Sequence, residues 1–371
     1  MSFRETVEAV FPSVMDRFDA VRESDVLRAL QKDVIDEWDY LALLSEAAIP
    51  HLEAMARKSH DLTTRNFGRT ISLFTPLYLS NFCTNHCVYC GFNCRNGIPR
   101  SQLDMDQLAV EAKAIADTGL KHLLILTGEA PKMAGVDYLE SCTRVLRRFF
   151  PSVSIEVFAM TEEEYARMVR AGVDGMTMFQ ETYNSELYAV LHPAGPKKDY
   201  AFRVDAPERA CKAGMRVVNV GALLGLDEWR RDALFTGMHA QYLETKYPEV
   251  DIAVSLPRMR PHAGDFQPTT VASDRDLVQI MCALRLYMPR LGITISTREA
   301  PEFRENILPL GVTRISAGVS VEVGGHSQKG EKVGQFEIAD SRSVPEVCDM
   351  IRSRGFQPVF KDWEPFDGVR A

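Results

Sequence analysis

Two periods of apolar residues divide the chain. Over residues 1 to about 60 the apolar positions fall at helical spacing, as in Asp25-Val-Leu-Arg-Ala-Leu and Tyr40-Leu-Ala-Leu-Leu, and no strand-like run occurs. From Phe74 onward short, β-branched apolar runs alternate with amphipathic stretches, the pattern of a parallel sheet built from βα units. Eight runs read as strands: Phe74–Phe82, His122–Thr127, Ser154–Ala159, Gly175–Gln180, Val217–Leu223, Ile252–Pro257, Ile293–Thr297 and Arg314–Ala317. Helices are predicted at Met105–Asp117, Tyr138–Phe149, Glu162–Ala171, Pro207–Ala213, Trp229–Thr245 and Asp274–Met288. Eight such units close most simply as a TIM-type (β/α)8 barrel. The predicted fold is therefore α/β, with a helical extension over 1–60, the barrel over 61–320 and a short C-terminal extension over 321–371 covering it. In that extension, Gly324-Gly-His-Ser-Gln-Lys-Gly330 predicts a mobile loop, followed by a helix at Val344–Ser353 and an end at Lys361-Asp-Trp363.

A barrel of this kind carries its chemistry in the loops after the strands. Polar clusters recur there: the cysteine-rich run after the first strand, Thr127-Gly-Glu129, Gln180-Glu-Thr-Tyr183, Pro257-Arg-Met-Arg-Pro261, Ser296-Thr-Arg-Glu299 and Ser316-Ala-Gly. Any one of these could be turn chemistry, but their recurrence at consecutive strand ends points to one mouth.

Composition narrows the classes. A formal charge of −8 with no dominant basic cluster argues against a nucleic-acid surface. The start, Met1-Ser-Phe-Arg-Glu-Thr-Val, lacks the pattern of a secretion signal and no run reaches membrane-span length, so no membrane association is expected. With eight cysteines and no such signal, a reducing, cytoplasmic setting is expected. Cys142, Cys211, Cys282 and Cys348 lie singly in predicted helices and read as small core residues.

The other cysteines carry chemistry. Cys83-Thr-Asn-His-Cys87-Val-Tyr89-Cys90 has the spacing C-x3-C-x-aromatic-C directly after the first strand. Three thiolates in so short a loop can hold three irons of a [4Fe-4S] cluster and leave the fourth open to a small molecule. Cys94 would complete a four-cysteine zinc site, but structural zinc sites are usually two C-x2-C pairs set further apart.

Among the remaining residues Arg298 is the sharpest candidate. A guanidinium inside a barrel mouth is costly without an anion, and its fork matches a carboxylate, with Ser316 placed to add a third hydrogen bond. An ion pair to Glu299 or Glu302 is the structural alternative. Arg258 and Arg260, two apart in an extended segment, would share a face of the cavity, and His262 is a possible acid-base group.

The cysteine run, as Asn81-Phe-Cys-Thr-Asn-His-Cys-Val-Tyr-Cys-Gly-Phe92, resembles the motif of the radical S-adenosylmethionine superfamily. The resemblance implies that Cys83, Cys87 and Cys90 hold the cluster, that S-adenosylmethionine chelates the open iron, and that a 5′-deoxyadenosyl radical is released. It further implies cofactor contacts from Tyr89, Glu129 (to the amino group), Gln180 and Glu181 (to the nucleoside), and Lys198 or Arg203 (to the carboxylate). Together with Tyr78-Leu-Ser-Asn81, the strand-end clusters and the terminal Lys-Asp-Trp, the pattern is similar over nearly the whole chain to the tyrosine lyases that make 2-iminoacetate for the thiazole of thiamine. That likeness implies L-tyrosine as substrate, p-cresol as second product, a flavodoxin- or ferredoxin-type electron donor and thiazole synthase as recipient. Alternatives are the tyrosine-cleaving hydrogenase maturases, tryptophan lyases, deazaflavin-synthesis enzymes and, in another class, a non-catalytic iron-sulfur carrier or sensor. The maturases carry three further C-terminal cysteines, and this chain has only Cys348 after residue 320.

Overall fold

The computed structural model describes residues 2–268, 270–327 and 334–361. Asp362 and Trp363 of the terminal motif, and residues 328–330 of the glycine-rich segment, lie outside the described residues.

Five helices open the chain: α1 Phe3–Val10, α2 Val14–Asp19, α3 Glu23–Gln31, α4 Glu37–Leu44 and α5 Leu52–Phe67. The barrel strands follow as β1 Thr70–Ser80, β2 His122–Thr127, β3 Ser152–Glu156, β4 Gly175–Glu181, β5 Val217–Ala222, β6 Asp251–Ser255, β7 Gly292–Ile295 and β8 Arg314–Ser316. Between them lie α6 Met105–Ala116, α7 Val136–Leu146, α8 Glu162–Ala171, α9 Ser185–Leu191, α10 Tyr200–Val204, α11 Ala206–Lys212, α12 Trp229–Lys246, α13 Asp274–Tyr287 and α14 Pro301–Ile307. Helix α15, Val344–Ser353, and a ninth strand, β9 Gln357–Val359, complete the described chain.

Neighbouring strands pair in parallel from β2 through β8, and β1 closes the ring by pairing with β8 on one edge and β2 on the other. All eight strands expected from the sequence are present, within a few residues of their predicted ends. The sequence did not reveal β9, which pairs with Thr70–Ser72 at the start of β1, nor the short helices α9, α10 and α14. Helix starts follow their local code. Asp104 with Gln107, Thr161 with Glu164, and Ser273 with Asp276 each form a reciprocal cap, satisfying donors that the first turn leaves unpaired. The four isolated cysteines are buried in α7, α11, α13 and α15.

The N-terminal helices are packed into the barrel wall. Phe3 stacks on His239 of α12 with ring centroids 4.1 Å apart, and Tyr40 stacks on Tyr287 of α13 at 4.4 Å. The Tyr40 hydroxyl donates to the Ala233 carbonyl at 2.8 Å, and the Gln279 amide caps the carbonyls of Leu43 and Ser45. Below, the fully buried Arg285 donates to the carbonyls of Pro289, Leu291 and Gly311 and lies over the Phe67 ring, so α5, α13 and two barrel-base loops share one side chain.

The described half of the glycine-rich loop is held, where a mobile loop was expected. Glu111 of α6 accepts from the backbone amides of His326 and Ser327 and from the Ser327 hydroxyl, while the His326 ring bonds the Pro76 carbonyl at 2.9 Å. Among the described residues no helix is long and apolar enough to cross a membrane.

Gly237 of α12 tests the union of the helices with the barrel. A Cβ there would sit 2.5 Å from the Tyr40 ring, which is pinned by its own stack and hydrogen bond. Gly237→Ala should cost about 1–3 kcal/mol in urea denaturation, the range for overpacking a filled core. A stability equal to wild type would show that the helices rest loosely on the barrel.

Candidate active site

The cysteine loop is shaped by Arg100. Its guanidinium donates to the carbonyls of Asn81, Phe92, Asn93 and Asn96, turning the chain after β1 into a closed lobe. Asn81 seals the neck, its side chain accepting from the Ser101 amide at 2.7 Å and donating to the Pro99 carbonyl at 2.9 Å. Two neighbours flank the lobe. The Glu129 carbonyl after β2 accepts from the Thr84 amide at 2.8 Å, while Leu191 at the end of α9 accepts from the Val88 amide and Ala194 just beyond it from the His86 amide. Gly128 permits the first approach, since a Cβ there would lie 2.3 Å from the Phe82 carbonyl oxygen. Asn85 spans both sides, donating to the Glu129 carboxylate at 2.6 Å and accepting from the Lys197 amide at 2.9 Å.

Cys87 is buried, Cys83 and Cys90 are half-buried, and Cys94 is exposed. Burial pushes the Cys87 thiol up to about 12 and raises Cys90 as well, with the Lys197 ammonium opposing both shifts. Thiolates in this setting need a cationic partner, and an all-sulfur donor set suits iron-sulfur chemistry better than a hard cation. No three His, Cys, Asp or Glu side chains among the described residues are already grouped at ligand spacing.

Beside the loop sits a chain of buried charges. β4 ends in a bulge after Phe179, and Glu181 adopts φ 73°, the left-handed region that only this non-glycine residue occupies among the described residues. Its carboxylate meets Lys197 Nζ at 2.5 Å and Arg203 Nη2 at 3.4 Å. Burial alone would raise the Glu181 carboxyl, but the two cations hold it below the usual range. Lys197 Nζ also lies 5.6 Å from the Tyr89 ring centre. The Tyr89 hydroxyl is 2.7 Å from His192 Nε2, and His192 Nδ1 is 2.8 Å from the Tyr188 carbonyl. Burial, reinforced by Lys197, lowers His192 to about 3, so the ring is neutral. It donates through Nδ1 and accepts the Tyr89 proton through Nε2.

Two connected cavities open from here. The outer is lined by Tyr89, Cys90, Glu181, Lys197, Arg260 and His262. The inner, within the barrel, is lined by Tyr78, Asn219, Ser255 and Ser316 among others. Glu156, Phe179, Pro257, Arg298 and Phe336 border both. Arg298 lies 3.5 Å from the Phe336 ring centre, donates to the Arg258 carbonyl at 3.3 Å, and has no carboxylate partner among the described residues. The ion pair considered for it goes elsewhere: Glu299 is bound by Arg258, whose Nε lies 3.0 Å from Oε2.

Three residues sit differently from expectation, and Glu129 and Arg203, though beside the cysteine loop and Glu181, also border neither cavity. Arg258 is committed to Glu299, to Asp274 at 2.7 Å and to the Ala272 carbonyl, and it lines neither cavity. The extended-face argument fails for it because β6 stops at Ser255 and the segment turns to bridge Leu224. Lys198 is exposed, because the turn Pro196–Lys198 sends only Lys197 inward. Gln180 is buried in the bulge with both amide atoms unpartnered and borders neither cavity. Arg260 and His262 line the outer cavity, with Arg260 Nε and His262 Nε2 buried and without a hydrogen-bond partner among the described residues. Ser316 lines the inner one, its hydroxyl accepting from the Thr297 amide at 3.1 Å.

The comparisons with known proteins agree with this geometry. A model of the Radical SAM superfamily matches residues 77–235, and one of the Biotin and Thiamin Synthesis associated domain matches 255–357. The 2-iminoacetate synthase of Escherichia coli is 39% identical over 353 residues, covering 95% of this chain and 94% of that protein. The chain belongs to the 2-iminoacetate synthase family. A second member of the family, from Salmonella typhimurium, is 38% identical over the same length. Among solved structures, the hydrogenase maturase HydG of Carboxydothermus hydrogenoformans superposes with a TM-score of 0.85 at 30% identity, over 97% of this chain and 83% of that one. Members of the radical S-adenosylmethionine superfamily use a [4Fe-4S] cluster and S-adenosylmethionine.

Sequence reading missed Lys197, Asn85, Tyr78, Gln335 and Phe336, none of which carries a spacing signal. Glu156 did carry one, a lone carboxylate inside the apolar run Ser154–Ala159. Burial lifts its carboxyl from 4.5 to about 7, against the pull of Arg298. A carboxyl raised on folding favours the folded state below its unfolded pKa, and that advantage is lost as pH rises through 4.5 to about 7. Glu156→Gln should therefore raise the melting temperature at pH 8, by on the order of 2 kcal/mol in stability, and change little at pH 4.5 or below. An equal effect at both pH values would mean that Glu156 is not charged at a cost in the folded protein.

Proposed function

We propose that this chain cleaves the Cα–Cβ bond of L-tyrosine to 2-iminoacetate and p-cresol, feeding thiazole formation in thiamine synthesis. One observation carries the reading beyond the family: Arg298 presents a half-buried guanidinium with no carboxylate partner among the described residues at the junction of two cavities, beside the three-cysteine loop. Such a group calls for a ligand carboxylate.

The cofactors, when bound at Cys83, Cys87 and Cys90, supply a carbon-centred radical from S-adenosylmethionine. The chain's own residues do the rest. Lys197 on the wall of the outer cavity, with Arg203 behind it on the shared Glu181, gives positive charge suited to the cofactor carboxylate, a role in which Lys197 replaces Lys198. Glu129, held against the cysteine loop by Asn85 and Thr84, is the group for the cofactor amino end on that flank, outside the two cavities. Tyr89, fixed by the neutral His192, presents its ring face to the same cavity. Arg298 takes the substrate carboxylate, and Ser316, whose oxygen already accepts from Thr297, has its own proton to donate. Glu156 faces the shared space and accepts a proton from the substrate ammonium at its carboxylate. Arg260 and His262 have unpaired nitrogens near the outer cavity and close the polar wall around the reactants.

A low-potential donor of flavodoxin or ferredoxin type reduces the site, and thiazole synthase consumes the product, which hydrolyses readily in water. No disulfide joins any of the eight cysteines, which supports a cytoplasmic setting.

The test is anaerobic turnover of tyrosine by reconstituted protein with a low-potential reductant, reading p-cresol and glyoxylate. Formation of 5′-deoxyadenosine without p-cresol would exclude tyrosine as the substrate. Substituting alanine for Cys83, Cys87 or Cys90 should remove the cluster absorbance and all turnover, while the exposed Cys94→Ala retains both. In Arg298→Lys the two-pronged contact is gone, so KM for tyrosine should rise roughly ten- to hundredfold with cofactor binding unchanged. An unaltered KM would remove Arg298 from the clamp.

A further inference from the structure

We propose that Gln335 is a positioning residue for the metal centre, its side-chain amide donating a hydrogen bond to the Cys90 sulfur and thereby setting the reduction potential of the cluster. This rests on the assignment of Cys90 as a cluster ligand. Gln335 Nε2 lies 3.7 Å from Cys90 Sγ. Among the described residues no other side chain donates to the sulfur of Cys83, Cys87 or Cys90; the Phe92 backbone adds a main-chain contact to Cys90, which a side-chain substitution leaves in place.

The amide is oriented rather than free to flip. Its Oε1 accepts from the Tyr78 hydroxyl at 2.8 Å, and Tyr78 is a buried residue of β1 with its ring held edge-on by Phe92. A thiolate only accepts, so reversing the amide would place a carbonyl against the sulfur and lose the contact. The backbone is held close as well. Gly91, directly after Cys90, has no Cβ, and one there would lie 2.5 Å from the Gln335 carbonyl oxygen. On the far side the Glu337 amide donates to Pro261 and the Ala339 amide to Thr297, both at strand-end loops of the barrel. The segment 334–340 is therefore pinned to the mouth, and Gln335 is the part of it aimed at sulfur.

A hydrogen bond to a ligand sulfur stabilises the reduced cluster more than the oxidised one, because reduction adds negative charge that the N–H dipole offsets. Removing the donor should make the cluster harder to reduce. No ligand is lost, so cluster content should hold.

The experiment compares full-length wild type with Gln335→Leu, Gln335→Glu and Tyr78→Phe, each reconstituted anaerobically without S-adenosylmethionine. Iron and sulfide content come first, then a redox titration followed by the electron paramagnetic resonance signal of the reduced cluster. The expected result is full iron content throughout, with the midpoint of Gln335→Leu shifted down so that the reduced-to-oxidised ratio at a fixed potential falls roughly several-fold. Gln335→Glu should shift further in the same direction, since a carboxylate replaces the donor, and Tyr78→Phe should fall between wild type and Gln335→Leu. Unchanged midpoints in the Leu and Glu variants would overturn the proposal. So would loss of the cluster in both, which would make Gln335 a structural support. A wild-type protein that forms no reducible four-iron centre would instead overturn the ligand assignment, and this proposal with it.

Discussion

Charge burial governs the barrel mouth. In a space walled off from water an ion needs a partner, and the protein satisfies that demand selectively. Arg258 is matched to Glu299 and Asp274, and Arg304 to Asp340. Glu181 is shared by Lys197 and Arg203, one carboxylate for two cations. What remains uncompensated is informative because the rest is so fully matched: a surplus of positive charge at the outer cavity, and Arg298 and Glu156 at the junction of the two cavities. The site's specificity is thus written as a deficit in the protein's own pairing, to be made up by a molecule with both an acidic and a basic end.

The backbone makes that arrangement possible at a local cost. Glu181 occupies a left-handed conformation because the bulge in β4 turns its side chain toward Lys197 instead of along the alternating strand pattern. Gly128 lets the end of β2 touch the cysteine lobe, and Gly195, φ 98°, leaves room for Asn85, whose carbonyl oxygen a Cβ would meet at 2.3 Å. Asn85 then ties the two flanks of the lobe together through one amide group. Small residues at the contacts and a single bridging side chain fix the relation between metal loop and cofactor wall without any bulky packing between them.

The barrel itself was legible in the sequence, since parallel strands buried on both faces read as short apolar runs and the first six were each followed by a helical stretch. β9 was not, being three residues with a proline, too short for any periodic signal. Within the site, the cysteine spacing, Arg298 and Ser316 could be found because strand ends of a barrel converge. The inward-facing lysine could not, because Lys197 and Lys198 are identical in kind and only the turn at Pro196 separates their directions. Arg258 was misplaced by extending β6 beyond Ser255, which assigned a strand's alternating faces to a loop. Glu156 needed only the question of why a carboxylate stands among apolar neighbours in a buried strand.

The last described strand has a bearing on biogenesis. β9 pairs with the first residues of β1, and Gln335 and Phe336, only some twenty residues earlier, furnish part of the wall around the metal loop. A ribosome delivers the cysteines first and these closing pieces last, so during synthesis the loop stands open long after its thiols have emerged. The enclosure of the metal loop is therefore a late, long-range product of folding, complete only when the segment after the barrel has docked on its mouth.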